Sequence, residues 1–147
     1  MEMTGSERIL ASRQTVWDSL NDPDILRQCI PGCQSLEKTG ENQMAATVKI
    51  KIGVIAATFN GEVRLEDIDA PNGYTIAGEG KGGVAGFAKG NAKVSLADDG
   101  DATVLNYTVN AQVGGKLAQL GARLIDSTAR KLAGQFFARF NELVGAR

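Results

Sequence analysis

The chain has 147 residues, 43% hydrophobic and 22% charged, a composition typical of a globular domain with a sizeable core. Its formal net charge of −1 gives no general attraction to nucleic acid, and its longest apolar stretch, residues 52–59, is far too short to cross a membrane. The N-terminal sequence lacks the apolar core of a signal peptide. We therefore expect a soluble, cytoplasmic protein with one domain over residues 1–147.

The first part of the sequence predicts one strand and two short helices. Residues 2–10 are expected to form the strand, and Ser12 to cap the first helix with its side chain. Asp22 followed by Pro23 predicts a second helix, since an acidic cap and a proline at the first helical position both favour a helix N-terminus. This helix is expected to end at Pro31, which cannot continue it.

The middle of the sequence alternates between apolar or small residues and polar residues, from residue 35 to residue 113. Alternation with a period of two is typical of antiparallel strands that have one buried face and one face in water. Turn sequences at residues 71–73 and 98–100 separate some of these strands. We therefore expect a meander of antiparallel strands.

The period becomes helical after Gly115 and predicts an amphipathic helix to about Val144, about 28 residues or 42 Å long. Lys116, Arg123 and Arg130 recur every seven residues and are expected to form a basic stripe on its polar face. The apolar face has to be buried, and the dry face of the sheet is its only large partner. The predicted fold is therefore α+β, a curved antiparallel sheet wrapped around a long C-terminal helix, with two short helices after the first strand.

Six glycines fall within GEGKGGVAGFAKG, residues 78–90, and part of this run fits the glycine spacing of a dinucleotide-binding loop. Such a loop leads into a helix whose N-terminus meets the phosphates, whereas the residues that follow here alternate as a strand. We therefore reject nucleotide binding and look for another reason for the glycines.

Small residues dominate the predicted dry face of the sheet, which therefore presents little or no side chain toward the helix. Either the helix, which carries small residues around Gly121, lies very close to the sheet, or space remains between them. Because close approach along a curved sheet is difficult, we favour an internal apolar cavity. The small residues are Gly61, Gly78, Gly80, Ala88, Gly90, Ala92 and Ala111.

We expect the cavity to bind a large apolar ligand without catalysis, because the predicted lining has no inward-facing Asp, Glu, His or Lys. Tyr107 is either a hydrogen-bonding group for the ligand or a core tyrosine, and Phe87 either covers the cavity from a mobile turn or tucks back onto the sheet. We expect no metal site and no cofactor, since histidine is absent and only Cys29 and Cys33 supply thiols. The expected ligand-binding residues are Met44, Val48, Ile50, Phe59, Val63, Gly78, Gly80, Phe87, Ala92, Tyr107, Val109, Leu117, Leu120, Gly121 and Leu124.

Three long segments carry a family resemblance: VWDSLNDPDILRQCIPGCQSLE, GEGKGGVAGFAKGNAKVSL and AQVGGKLAQLGARLIDSTARKLAGQFFARF. In this order they resemble the carbon monoxide dehydrogenase G-subunit (CoxG) family of the START-like, helix-grip superfamily (SRPBCC), over essentially the whole chain. The resemblance implies the same sheet-and-helix architecture with a hydrophobic cavity. It also implies an accessory protein of a molybdenum hydroxylase such as carbon monoxide dehydrogenase, with no family catalytic motif to carry over.

Three functions follow from these observations. The leading hypothesis is a non-enzymatic carrier of a quinone, lipid or similar hydrophobic molecule that serves a molybdenum hydroxylase. The second is a recruitment or assembly module that docks the hydroxylase at the inner face of the cytoplasmic membrane, which the basic stripe and Phe87 would serve. The third is an enzyme acting on an aromatic or polyketide-like substrate, as in other START-like branches.

Overall fold

The computed structural model of the protein describes residues 1–145 and contains a seven-stranded antiparallel sheet; residues 146–147 of the predicted domain lie outside the described part. The strands are β1 (Glu2–Ile9), β2 (Cys33–Gly40), β3 (Gln43–Ile52), β4 (Ile55–Asp69), β5 (Gly73–Lys81), β6 (Phe87–Asp99) and β7 (Ala102–Gly114). Consecutive strands from β2 to β7 are paired and β1 pairs with β7, so the predicted meander is confirmed.

Both predicted N-terminal helices are present. The helix α1 (Arg13–Leu20) begins after Ser12, whose hydroxyl oxygen accepts a hydrogen bond from the backbone N–H of the third residue on, at 3.3 Å. The helix α2 (Pro23–Cys29) begins after Asp22, whose carboxylate accepts from the backbone N–H two residues on, at 2.9 Å. The capping residues read from the sequence therefore fix both starting points.

The C-terminal helix α3 (Ala122–Val144) has 23 residues and starts later than predicted. A short 3₁₀ segment (Gly115–Leu120) precedes it, and Gly121 separates the two with φ 91° and ψ 151°. That backbone conformation is open to glycine and ends any helix that enters it. Lys116 lies in the 3₁₀ segment, so the predicted basic stripe does not run along one helix.

Successive connections between strands lie at opposite ends of the sheet, because neighbouring strands are antiparallel. We call the end that holds residues 52–55, 82–86 and 114–121 the glycine end, since glycines occur in all three of these segments. The end that holds residues 41–42 and 70–72, with the β6–β7 turn, is the acidic end. The helix α3 runs from the glycine end to the acidic end.

An apolar cluster packs against the sheet at each of these ends. The acidic-end cluster contains the fully buried Phe140 of α3, together with Ile9 of β1 and Val16 of α1. The glycine-end cluster is smaller and is formed around Phe59 of β4 and Leu117 of the 3₁₀ segment. The two clusters therefore anchor α3 at the acidic end and the 3₁₀ segment that precedes α3 at the glycine end.

Candidate functional site

A cavity of about 580 Å³ lies between the sheet and α3, between the two apolar clusters. Strand register explains its position, because two neighbouring rows across the inner face of the sheet carry mostly glycine and alanine. Such rows leave the middle of the interface without the side chains that normally fill a core. The rows are Met44, Val63, Gly78, Gly90 and Ala111, and Ala46, Gly61, Gly80, Ala88 and Val113.

The glycines of these rows are of two kinds. A Cβ atom added to Gly90 would lie 2.0 Å from the carbonyl oxygen of Asn110, so the neighbouring strand requires glycine there. A Cβ atom added to Gly80 would have no neighbour closer than 4.0 Å, and one added to Gly61 none closer than 3.6 Å. The backbone therefore does not require glycine at positions 61 and 80, where the missing side chains leave volume for the cavity.

The cavity lining includes eight of the fifteen predicted ligand-binding residues, all of them on the sheet. Their inner-face positions follow directly from the alternation in the sequence. Binding of a ligand to them remains a prediction. They are Met44, Val48, Val63, Gly78, Gly80, Ala92, Tyr107 and Val109.

Six predicted residues are placed outside the lining, next to the glycine end. Phe59, Leu117 and Leu120 belong to the glycine-end cluster, which closes the interface there rather than lining the cavity. Gly121 is exposed and forms the break before α3. Ile50 and Leu124 border a separate surface groove beside the β3–β4 hairpin.

The seventh residue outside the lining, Phe87, is the first residue of β6 and not part of a mobile turn. Its neighbour Ala88 faces the cavity, so Phe87 points to the outer face of the sheet. Its ring covers Gly114 on the adjacent strand, where an added Cβ atom would lie 2.2 Å from the ring. Of the two interpretations of Phe87, the structure supports the one in which it packs onto the sheet.

The remaining lining residues lie partly at other positions of the sheet and partly on the helices. The helix α3 contributes Ala133, Phe136 and Phe137, and α1 and α2 contribute Leu20 and Leu26. The helical spacing of the phenylalanines was visible in the sequence, but their position along the sheet depended on the unpredicted break before α3. No pattern in the sequence indicates where the short helices pack.

Two tyrosines are the polar side chains that the inner face of the sheet contributes to the lining. Glu79 and Lys89 also border the cavity, but they alternate with inner-face residues and are exposed. Tyr107 stacks on Phe137 with ring centroids 5.5 Å apart, and its hydroxyl lies over Gly5 of β1. Its hydroxyl is thus directed to the edge of the sheet.

Tyr74 lies in the same cross-strand row as Tyr107, two strands away. The register aligns Tyr74 with Val94 and Val94 with Tyr107. Only 5% of its surface is exposed, and its ring packs against Trp17 of α1 with a centroid distance of 5.2 Å. Burial raises the pKa of Tyr74 well above its usual value because the phenolate would lose its hydration. The side chain of Tyr74 therefore remains a neutral phenol in the folded protein at physiological pH.

The comparison with family profiles decides the family. The profile of the carbon monoxide dehydrogenase G-subunit (CoxG) family matches residues 5–145. The chain belongs to the CoxG family. The resemblance read from the sequence is thereby confirmed, and membership implies an accessory role to carbon monoxide dehydrogenase, in a family that is generally non-catalytic. No curated protein sequence matches the chain.

Solved structures confirm the START-like fold of this CoxG-family chain. A conserved protein from Geobacillus kaustophilus is 32% identical, with a TM-score of 0.92 over 98% of this chain and 95% of that chain. A START superfamily protein from Mycobacterium smegmatis has 15% identity and a TM-score of 0.74 over 97% and 96% of the two chains. The ZhuI aromatase/cyclase from Streptomyces sp. R1128 has 11% identity and a TM-score of 0.71 over 98% and 93%.

No helix within residues 1–145 combines the length and the apolar composition that crossing a membrane requires.

Replacing Tyr74 with phenylalanine is expected to make the protein's stability less sensitive to alkaline pH. The unfolded chain releases the Tyr74 proton near pH 10.0, whereas the folded protein retains it to higher pH. The stabilisation is therefore complete below pH 10.0 and is lost as the pH rises toward the raised pKa. From about pH 9 to about pH 11, wild type should lose about 1 kcal/mol more free energy of unfolding than Tyr74→Phe, measured by urea titration.

Tyr107→Phe is the matched control for this titration. Burial and nearby Glu7 also raise the pKa of Tyr107, while Arg130 lowers it, but its ring is more accessible than that of Tyr74. Its substitution should therefore change the pH dependence less. Identical pH dependence in wild type and Tyr74→Phe would contradict the assignment.

Proposed function

We propose that this protein binds a lipophilic molecule, such as a quinone or a lipid, in the cavity between the sheet and α3. In this proposal it acts as a non-enzymatic accessory protein of a molybdenum hydroxylase of the carbon monoxide dehydrogenase type. The observation that carries the proposal is the bare inner face at Gly61 and Gly80, where the backbone would accept a side chain. A volume of about 580 Å³ is in the range of small-molecule sites, and its lining is mostly apolar.

An enzyme on the same fold is the competing interpretation, since one structural relative is an aromatase/cyclase. General acid–base catalysis needs a titratable group that reaches the bound substrate. The inward-facing polar side chains of the sheet lining are Tyr74 and Tyr107, and the half-buried Glu7 lies on edge strand β1 outside the lining residues. This arrangement supports binding over catalysis.

Binding in the cavity is tested with Gly80→Leu. An added leucine side chain has room to leave the backbone of β5 and enters the cavity, so it should compete with the ligand without straining the strand. We expect decylubiquinone to bind wild type saturably and Gly80→Leu at least about tenfold more weakly, by fluorescence titration. Organic extracts of the purified wild-type protein should contain a lipophile by mass spectrometry.

Lys93→Leu is the control, because it places the same side chain at an exposed position on the outer face of the neighbouring strand β6, outside the cavity lining. It should bind the quinone as wild type does. Equal affinities in all three proteins would place binding outside the cavity. Absence of saturable binding and of any extracted lipophile would refute the carrier function.

Docking at an anionic membrane is a second candidate function, and the glycine end favours it. Val54 and Val84 are 93% and 85% exposed, in the β3–β4 and β5–β6 connections. Exposed apolar side chains that share one end of a molecule are typical of interaction sites. Phe87, which is 37% exposed, and Lys116 and Arg123 of the predicted basic stripe lie near the same end.

The two ends of the sheet differ in the sign of their charged residues. Within two residues of the three glycine-end segments the chain has four basic residues and no acidic residue. Within two residues of residues 41–42, 70–72 and 100–101 at the acidic end it has five acidic residues and no basic residue. Anionic lipids attract basic residues near the surface by about 1 kcal/mol each. The glycine end therefore has the charge that such a surface attracts.

The double variant Val54→Asp/Val84→Asp tests membrane docking. It should lower binding to vesicles of phosphatidylglycerol and phosphatidylcholine at least about tenfold in a flotation assay, because it removes two apolar contacts and adds two repelled charges. Ile68→Asp, at an exposed position near the acidic end, is the control and should bind like wild type. Equal loss in both proteins, or equal binding of wild type to pure phosphatidylcholine, would contradict docking through the glycine end.

A further inference from the structure

Tyr74 places a hydroxyl group in a part of the interior where no protein group uses it. The residue lines the cavity and is 5% exposed, and Trp17 of α1 packs against its ring. Within residues 1–145 the structure gives this hydroxyl no hydrogen-bond partner. Every fully enclosed side-chain nitrogen or oxygen of the described residues does have a partner. The hydroxyl of Tyr74 is therefore largely buried but not fully enclosed, and the residue that carries it lines the cavity.

A hydroxyl in an apolar lining has an energetic cost that phenylalanine would avoid. Phenylalanine would fill the same space and keep the contact with Trp17, whereas a buried hydroxyl without a partner is destabilising. Buried tyrosine hydroxyls in proteins usually find a hydrogen-bond partner. A molecule in the cavity is the partner that the surroundings of Tyr74 leave room for.

We propose that Tyr74 donates a hydrogen bond to an acceptor oxygen of the cavity ligand. The cavity then selects apolar molecules that carry a carbonyl group, and it orients that group toward β5 and α1. This inference rests on the proposed ligand binding and adds to it the ligand's polar group and its direction. The raised pKa supports the role of donor, because the phenol stays protonated at physiological pH.

Tyr107, the polar group favoured by the sequence, is less well placed for this contact. Its hydroxyl lies over Gly5 at the edge of the sheet, where Glu7 and Arg130 both influence its pKa. The aligned register puts Tyr107 two strands away from Tyr74, about 10 Å across the sheet. The two hydroxyls therefore make separable contributions, and Tyr107→Phe is a matched control for Tyr74→Phe.

A pair of ligands that differ in one group tests the proposal. The probes are 2-acetylnaphthalene, which has a carbonyl acceptor, and 2-ethylnaphthalene, which has nearly the same shape without one. Affinities of both for wild type, Tyr74→Phe and Tyr107→Phe are measured by fluorescence titration. The ratio of the two affinities within each protein, compared between proteins, cancels the different solubilities of the probes in water.

Tyr74→Phe should weaken binding of the ketone about fivefold to tenfold, the range of one net hydrogen bond, and leave the hydrocarbon within about twofold of wild type. Tyr107→Phe, which removes the other hydroxyl of the lining, should change the affinity ratio less than Tyr74→Phe does. Unchanged hydrocarbon binding would also show that the cavity of Tyr74→Phe is intact.

Two results would overturn the proposal, and they have different meanings. If wild type binds both probes and Tyr74→Phe has the same affinity ratio, the hydrogen bond is refuted while ligand binding stands. If wild type binds neither these probes nor the quinone, the carrier function fails and the hydrogen bond fails with it.

Discussion

Two separate apolar clusters hold the C-terminal part of the chain against the sheet, through α3 at the acidic end and through the 3₁₀ segment before α3 at the glycine end. The cavity exists because the rows between these clusters lack side chains. A sheet of seven hydrogen-bonded strands cannot bend locally to fill such a gap, since each backbone position is fixed by its neighbours. The helix is not free to approach either, because Phe140 fixes α3 at the acidic end and Leu117 fixes the preceding 3₁₀ segment at the glycine end. Core voids normally reduce stability, so the volume is consistent with a functional role.

The glycines of GEGKGGVAGFAKG serve more than one purpose. Gly86 has φ 110° and its added Cβ atom would lie 2.0 Å from the backbone oxygen of Gly114, so it is required by the turn and its neighbour. Gly90 is required by the approach of β7, as its own contact distance shows. At position 80, neither a turn nor a neighbouring strand requires glycine. Only this last kind of glycine argues for ligand space, and a count of glycines in the sequence cannot separate it from the others.

Local signals in the sequence predicted most of the fold. Alternation gave the inner and outer faces of the strands, and Ser12 and Asp22 gave both short helices, because side-chain direction and capping depend on neighbouring residues. The start of α3 was wrong because it depends on the φ value of Gly121, which the sequence does not specify. The structure places the helical part of the lining at residues 133–137, about three to four turns beyond residues 117–124, where it was expected.

The two ends of the cavity differ in ways that bear on how a ligand would lie in it. The acidic-end cluster is large and includes α1, which holds the ring of Tyr74 through Trp17. The glycine-end cluster has few buried side chains, and its connections contain glycines with positive φ, so local opening costs less there. A ligand bonded to Tyr74 would therefore have its polar atom at the better-packed end. Its apolar remainder would extend toward the end that opens more easily and carries the exposed valines.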